Sequence, residues 1–208
     1  VAGAPLFIPP IWRIVSDSES PSSATERSPS LSNPAREIPL RLHSGPGFGT
    51  GAHETTQLCL QAIYAFHPRG PKWRLLDFGS GSGILSIAAA KLGAEVVGIE
   101  IDEPSIEHAE ANVRSNEVRD RVVFGQELEE AGGKFELVVA NILLAVLVAH
   151  AEELVLRLAP GGTLVLSGLV GTDVPVAIGR YSPLLGGARP EVFERGDFRA
   201  LVWQKASP

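Results

Sequence analysis

A chain of 208 residues with 44% apolar content is long enough for one packed domain plus a tail. Its net charge of −6, with basic residues scattered among acids, argues against a nucleic-acid-binding surface and fits plain solubility or a basic protein partner. The single cysteine, Cys59, excludes an internal disulfide and a cysteine-rich metal site. No apolar stretch is long enough to span a bilayer, and the first residues lack the order of a secretory signal, so a cytoplasmic location is expected.

The sequence opens at Val1 and contains no methionine, which leaves a removed start residue and a truncated product both open. Leu6 to Val15 (LFIPPIWRIV) is apolar, and its prolines restrict it to an edge strand or a docked extended segment. Ser16 to Arg36 is rich in Ser and Pro and has too few large apolar side chains to offset its ordering entropy. It is expected to be a mobile linker, which divides the chain into residues 1–36 and a domain at 37–208. Glu37 to Leu42 alternates as a short strand and leads into His43 to Thr56, HSGPGFGTGAHETT. Glycines interleaved with Phe48, Thr50 and His53 suit a lid over a ligand; a loop in which Thr55 or Thr56 caps the next helix is equally open. That helix, Thr55 to Phe66, carries Leu58, Ala62 and Phe66 at helical spacing. His53 is expected to orient the loop, since His43, His67, His108 and His150 stand at no ligand spacing from it and no metal site is expected.

From Trp73 onward strands and helices alternate. Strands are expected at Trp73 to Phe78, Ala94 to Ile101, Arg121 to Phe124, Phe135 to Ala140 and Thr163 to Ser167. Helices fall at Gly83 to Leu92, at Pro104 to Ser115 (buried through Ile106, Ala109 and Val113), and at Leu144 to Leu158, which Pro160-Gly161-Gly162 ends. A weaker helix follows Asp173. Two alternating runs, Arg189 to Arg195 and Phe198 to Gln204, flank Gly196-Asp197 as a hairpin. The rhythm defines an α/β doubly wound sheet with helices on both faces.

The chemistry concentrates at Leu75 to Gly83, LLDFGSGSG. Apolar residues lead into an acid, then Gly79, Gly81 and Gly83 alternate ahead of an apolar helix, as a strand, a tight turn and a helix N-terminus for a nucleotide-like ligand would. The spacing is neither the G-x-G-x-x-G of dinucleotide sites nor a phosphate loop. Glu100 ends the next strand, where a carboxylate can accept both ribose hydroxyls of an adenosyl ligand. Asp102 competes, but Asp102-Glu103-Pro104 reads as a helix cap. Gln126 and Glu127, in the turn after the third strand, are open between adenine contacts and solvated turn residues. Asn141, after the fourth, is open between capping the next helix and holding an attacking nucleophile.

FGTGAHETTQLCL (Phe48 to Leu60), LLDFGSGSGILSIAAAKLGA (Leu75 to Ala94), GIEID (Gly98 to Asp102), VVANILL (Val138 to Leu144) and LAPGGTLVLSGL (Leu158 to Leu169) together resemble the PrmA family. The resemblance runs from about Glu37 to the C-terminus, with the FGTG-x-H-x-TT loop its most specific part. It implies a class I methyltransferase sheet of seven strands, the last antiparallel and beside the fifth, and S-adenosylmethionine as cofactor. It also implies methyl transfer to a protein lysine, in bacterial members on large-subunit ribosomal protein eleven. Thr56, Gly79, Glu100 (usually aspartate in the family) and Asn141 match the family's cofactor site. Gly81, Gly83, Phe48 and Gln126 complete the expected cofactor set, with Asn141 as catalytic residue and Phe48 helping to exclude water. The expected partner is a protein bearing the acceptor lysine, with no nucleic acid and no membrane. The sequence lacks the N-terminal substrate-recognition domain of bacterial members, so the acceptor stays open. A small-molecule N-methyltransferase and a non-catalytic module that binds the cofactor are the alternatives. The N-P-P-[YF] motif of amide and adenine methyltransferases is absent at Asn141-Ile142-Leu143-Leu144.

Overall fold

The computed structural model describes residues 12–16, 37–70 and 72–207. Within these lie a two-stranded and a seven-stranded sheet. The small sheet pairs β1 (Trp12–Ser16) in parallel with β2 (Ile38–Leu42). The expected extended segment is therefore a strand at its C-terminal end, whereas Leu6 to Ile11 and the expected linker from Asp17 to Arg36 lie outside the described residues.

The large sheet is built from β3 (Arg74–Phe78), β4 (Glu95–Ile99), β5 (Val122–Gly125), β6 (Phe135–Asn141), β7 (Leu158–Val170), β8 (Glu191–Arg195) and β9 (Phe198–Gln204). Their spatial order is β5-β4-β3-β6-β7-β9-β8. The pairings from β5 through β7 are all parallel, and β9 runs antiparallel to both β7 and β8. Period-two alternation sends side chains to two separate cores. Leu75, Leu137, Val139, Val165 and Val202 pack with α1 (Glu54–Phe66) and α2 (Ile84–Lys91), while Leu76, Val138, Leu164, Leu201 and Trp203 face the opposite way. There they meet α4 (Leu144–Ala149), α5 (Ala151–Arg157) and α6 (Val174–Leu184). The remaining helix, α3 (Glu103–Ser115), lies on the α2 side through Ala109 and Val113, with Ile106 only half buried.

Most expected elements form with their ends moved by one or a few residues, Glu100 following β4 rather than lying in it, and two differ by more. The single helix expected from Leu144 breaks at His150, which ends α4 and starts α5 with backbone angles of −96° and 14°. At the break, His150 contacts Glu153 (2.9 Å) and packs edge-on against Phe78 at 5.1 Å. Strand β7 begins at Leu158, before Pro160-Gly161-Gly162, because Leu158 already pairs with Phe135 and the glycines form a register shift inside the strand. The expected hairpin forms as read, with Arg195 paired to Phe198 across Gly196-Asp197 and Gly196 at φ 53°.

Candidate functional site

Strand order reverses at β3, between β4 and β6, and the carboxyl end of β3 runs into the glycine turn. Gly79, Gly81 and Gly83 have φ of 79°, 52° and 76°, which bulkier residues rarely adopt. A Cβ on Gly81 would lie 2.5 Å from the Phe48 carbonyl oxygen, and one on Gly79 would strike Ile142. The Gly79 and Ser80 amides donate to the Ile99 carbonyl at 2.8 and 3.0 Å, and the Gly81 amide donates to Glu100 Oε2 at 3.0 Å, which fastens the turn to the end of β4.

Helix α2 starts at Gly83 without a side-chain cap. Asp77, at the end of β3, takes that role from a distance: its Oδ2 accepts from the Ser86 amide (3.1 Å) and hydroxyl (2.7 Å). Asp77 is fully buried, and burial pushes its carboxyl up to about 6, with the Ser86 bonds opposing and the nearby Glu100 charge adding. Its Oδ1 has no partner. Among the described residues four buried side-chain polar atoms lack one: Thr56 Oγ1, Asp77 Oδ1, Ser80 Oγ and Trp73 Nε1. Three of these belong to the glycine turn, the strand entering it and the motif helix α1. Buried polar atoms are nearly always paired, so three orphans in one set of motifs mark places for polar atoms of a ligand or water.

Glu100 is half buried, and its second oxygen accepts from the Asp102 amide at 3.2 Å. Two oxygens with one protein donor each retain lone pairs for further donors. Asp102 caps α3, its Oδ2 accepting from the Ser105 amide (3.0 Å) and hydroxyl (2.6 Å). Gln126 is exposed on the turn after β5 and donates to the Glu103 carboxylate, while its amide bonds Glu130 at 3.1 Å. Asn141, at the end of β6, is half buried; the cap of α4 is Leu143, with no side-chain bond, so Asn141 does not cap that helix.

The loop before α1 lies against the glycine turn. The Phe48 carbonyl accepts the Ser82 amide at 2.9 Å, and the Gly49 carbonyl accepts the Ser82 hydroxyl at 2.7 Å. The Phe48 ring stays 61% exposed, edge-on to His53 at 5.6 Å. The helix cap here is His53, whose Nδ1 accepts from the Thr55 amide at 3.3 Å, rather than either threonine. Thr56 is buried in the first turn of α1.

Sequence reasoning missed the polar edge of α3. Asn112 and Asn116 are buried: Asn112 accepts the His43 amide (2.8 Å) and donates to the Ser82 carbonyl (2.9 Å), and Asn116 exchanges bonds with the Arg41 backbone. The spacing His108, Asn112, Asn116 repeats every four residues beside Ala109 and Val113, and that spacing was the available signal.

A mostly parallel sheet with an antiparallel strand inserted between its fifth and sixth strands, and a glycine turn at the switch point, defines the class I methyltransferase fold. A crystal structure of an RNA methyltransferase from Salinibacter ruber, in complex with S-adenosyl-L-homocysteine, shares that fold (TM-score 0.57, 21% identity, 76% of this chain and 95% of that one). The family model for ribosomal protein L11 methyltransferase (PrmA) matches residues 22–205, and the chain belongs to that family. The ribosomal protein L11 methyltransferase of Syntrophotalea carbinolica is 42% identical over 170 residues, 80% of this chain and 55% of the relative. A crystal structure of ribosomal protein L11 methylase from Lactobacillus delbrueckii subsp. bulgaricus superposes with a TM-score of 0.76 at 29% identity, covering 94% of this chain and 95% of that one. The chain spans about half the length of the curated relatives it matches.

Proposed function

We propose that residues 37–208 form a methyltransferase domain that binds S-adenosylmethionine at the glycine turn and transfers its methyl group to a protein lysine. Ribosomal protein L11 is the first acceptor to test. The observation that carries this reading is the set of unpartnered buried atoms, Thr56 Oγ1 in the motif helix, Asp77 Oδ1 in the strand entering the glycine turn and Ser80 Oγ within it. The residues fit the group. Glu100 retains acceptor capacity for ribose hydroxyls and Gln126 would border the adenine, whereas the amides from Gly79 to Gly83 all donate within the protein, so the polar group that the turn keeps for a ligand is Ser80 Oγ.

When bound, the cofactor supplies a methyl group on a sulfonium together with its leaving group. The chain's own task lies on the acceptor side. A lysine amine with a reference pKa near 10.4 is almost wholly protonated at neutral pH and has no lone pair to attack with. Phe48, 61% exposed, and Leu143, 74% exposed, are apolar side chains near the glycine turn and Asn141 that would close over the amine; desolvation there lowers its pKa. The Asn141 side-chain oxygen would then accept a hydrogen bond from the neutral amine and aim it in line.

Calorimetry with S-adenosylmethionine and with NAD, followed by incubation of the chain with labelled donor, purified ribosomal protein L11 and a proteome extract, tests the proposal. Binding of the methyl donor alone and label on a protein lysine are expected. Label confined to small molecules would reassign the acceptor class, and absence of donor binding would overturn the reading.

A further inference from the structure

His108, near the middle of α3, is not part of any motif that carries the family likeness, yet it holds the segment leading into the Phe48–Leu60 motif at two backbone points. Its Nε2 lies 2.8 Å from the His43 carbonyl oxygen, and its Nδ1 lies 3.2 Å from the Gly47 amide nitrogen. A carbonyl can only accept and an amide can only donate, so the ring is the neutral tautomer with its proton on Nε2. The loop backbone is pressed onto the ring. A Cβ on Gly45 would lie 2.5 Å from His108 ring carbons, and one on Gly47 would lie 2.8 Å from the Ser82 amide nitrogen and 2.9 Å from His108 Nδ1.

From this anchor the contacts run directly into the glycine turn. One residue beyond Gly47, the Phe48 carbonyl accepts from Ser82 and fills the space that a Cβ on Gly81 would need. Gly81 in turn donates to Glu100. One turn along α3 from His108, Asn112 ties the His43 amide to the Ser82 carbonyl, so α3 carries the loop and the turn together. Ser44, Gly45 and Pro46 are exposed, and at Gly47 the loop meets both His108 and the glycine turn.

We infer that His108 is a positioning residue of the cofactor site: it latches the loop His43–His53 onto the glycine turn, and the latch sets how fast the cofactor enters and leaves. This rests on the cofactor reading above. Losing both bonds frees the loop without removing any group proposed to touch the ligand, so exchange rates change more than equilibrium affinity.

The test uses the full chain and S-adenosylhomocysteine as probe, with association and dissociation rates read by surface plasmon resonance and thermal midpoints recorded alongside. His108→Ala should raise the dissociation rate by roughly tenfold, the scale of one or two hydrogen bonds, and raise the association rate in the same direction. His108→Asn keeps an acceptor where Nδ1 stood and His108→Gln keeps a donor where Nε2 stood, so each should restore part of the slow exchange. Unchanged rates in His108→Ala would overturn the latch while leaving the cofactor reading intact. A fall in thermal midpoint with no rescue of rates by Asn or Gln would also overturn it. Absence of probe binding by the unaltered chain would overturn the cofactor reading and the latch together.

Discussion

Glu100 serves two ends with one carboxylate, holding the Gly81 and Asp102 amides while offering its remaining lone pairs outward. Glu100→Ala should therefore weaken S-adenosylmethionine binding by about 1.5–3 kcal/mol, the range for a hydrogen bond to a charged group, and also loosen the turn itself. Calorimetry measures it, and equal affinities would remove Glu100 from the site. Asn141 differs, because its side chain is committed to no cap. Asn141→Ala should lower kcat well beyond any change in cofactor affinity, since the amine is gripped only as reaction approaches. Steady-state kinetics beside a binding isotherm separate the two; a loss of affinity with kcat intact would move Asn141 to cofactor binding alone.

At the level of elements, α3 ends in a Schellman motif: the Glu117 amide bonds the Arg114 carbonyl (3.1 Å) and the Val118 amide bonds the Val113 carbonyl (3.3 Å), with Val113 and Val118 in the same core. The motif needs a left-handed residue after the cap, and Glu117 occupies it at φ 60°. Glu117→Gly should stabilise the fold by about 1 kcal/mol by relieving that strain, visible as a rise in Tm; an unchanged or lower Tm would show that the glutamate side chain compensates. Local pattern exposes some of this and hides the rest. The strand–turn–helix at Asp77–Gly83, the cap at Asp102 and the hairpin at Gly196-Asp197 were legible because glycine, aspartate and apolar period each act within a few residues. The grip of Asn112 and Asn116 on residues far back in the chain was not, since a polar row on a helix looks the same whether it meets water or another segment's backbone. His150 was likewise invisible as a break, since its ring packs against Phe78 on a strand far back in the chain. Of the candidate site, the tight glycine turn and the place of Glu100 after its strand could be read directly, whereas the solitude of Thr56 Oγ1 and Asp77 Oδ1 is a property of packing.

For the molecule as a whole, Asp77 makes stability depend on pH. Its carboxyl titrates near 6 when folded against an ordinary value of 3.8, so between about pH 4 and pH 6 the folded state holds a proton that the unfolded chain has released. Stability at this group therefore falls as pH rises through that window, by about 3 kcal/mol in total, and stays lowered above it. Asp77→Asn should flatten this slope and raise the Tm of the ligand-free protein at pH 8 while weakening cofactor binding; a slope that persists in the variant would assign it to another group. The antiparallel strand β9 acts on the same scale. It sits between β7 and β8, and Trp203 on it is fully buried, so β7 keeps an open, apolar edge until residues 198–204 arrive. A ribosome delivers those residues after every other strand among the described residues has been made. Until those residues emerge, β7 is bare along one edge and open to pairing with neighbouring chains.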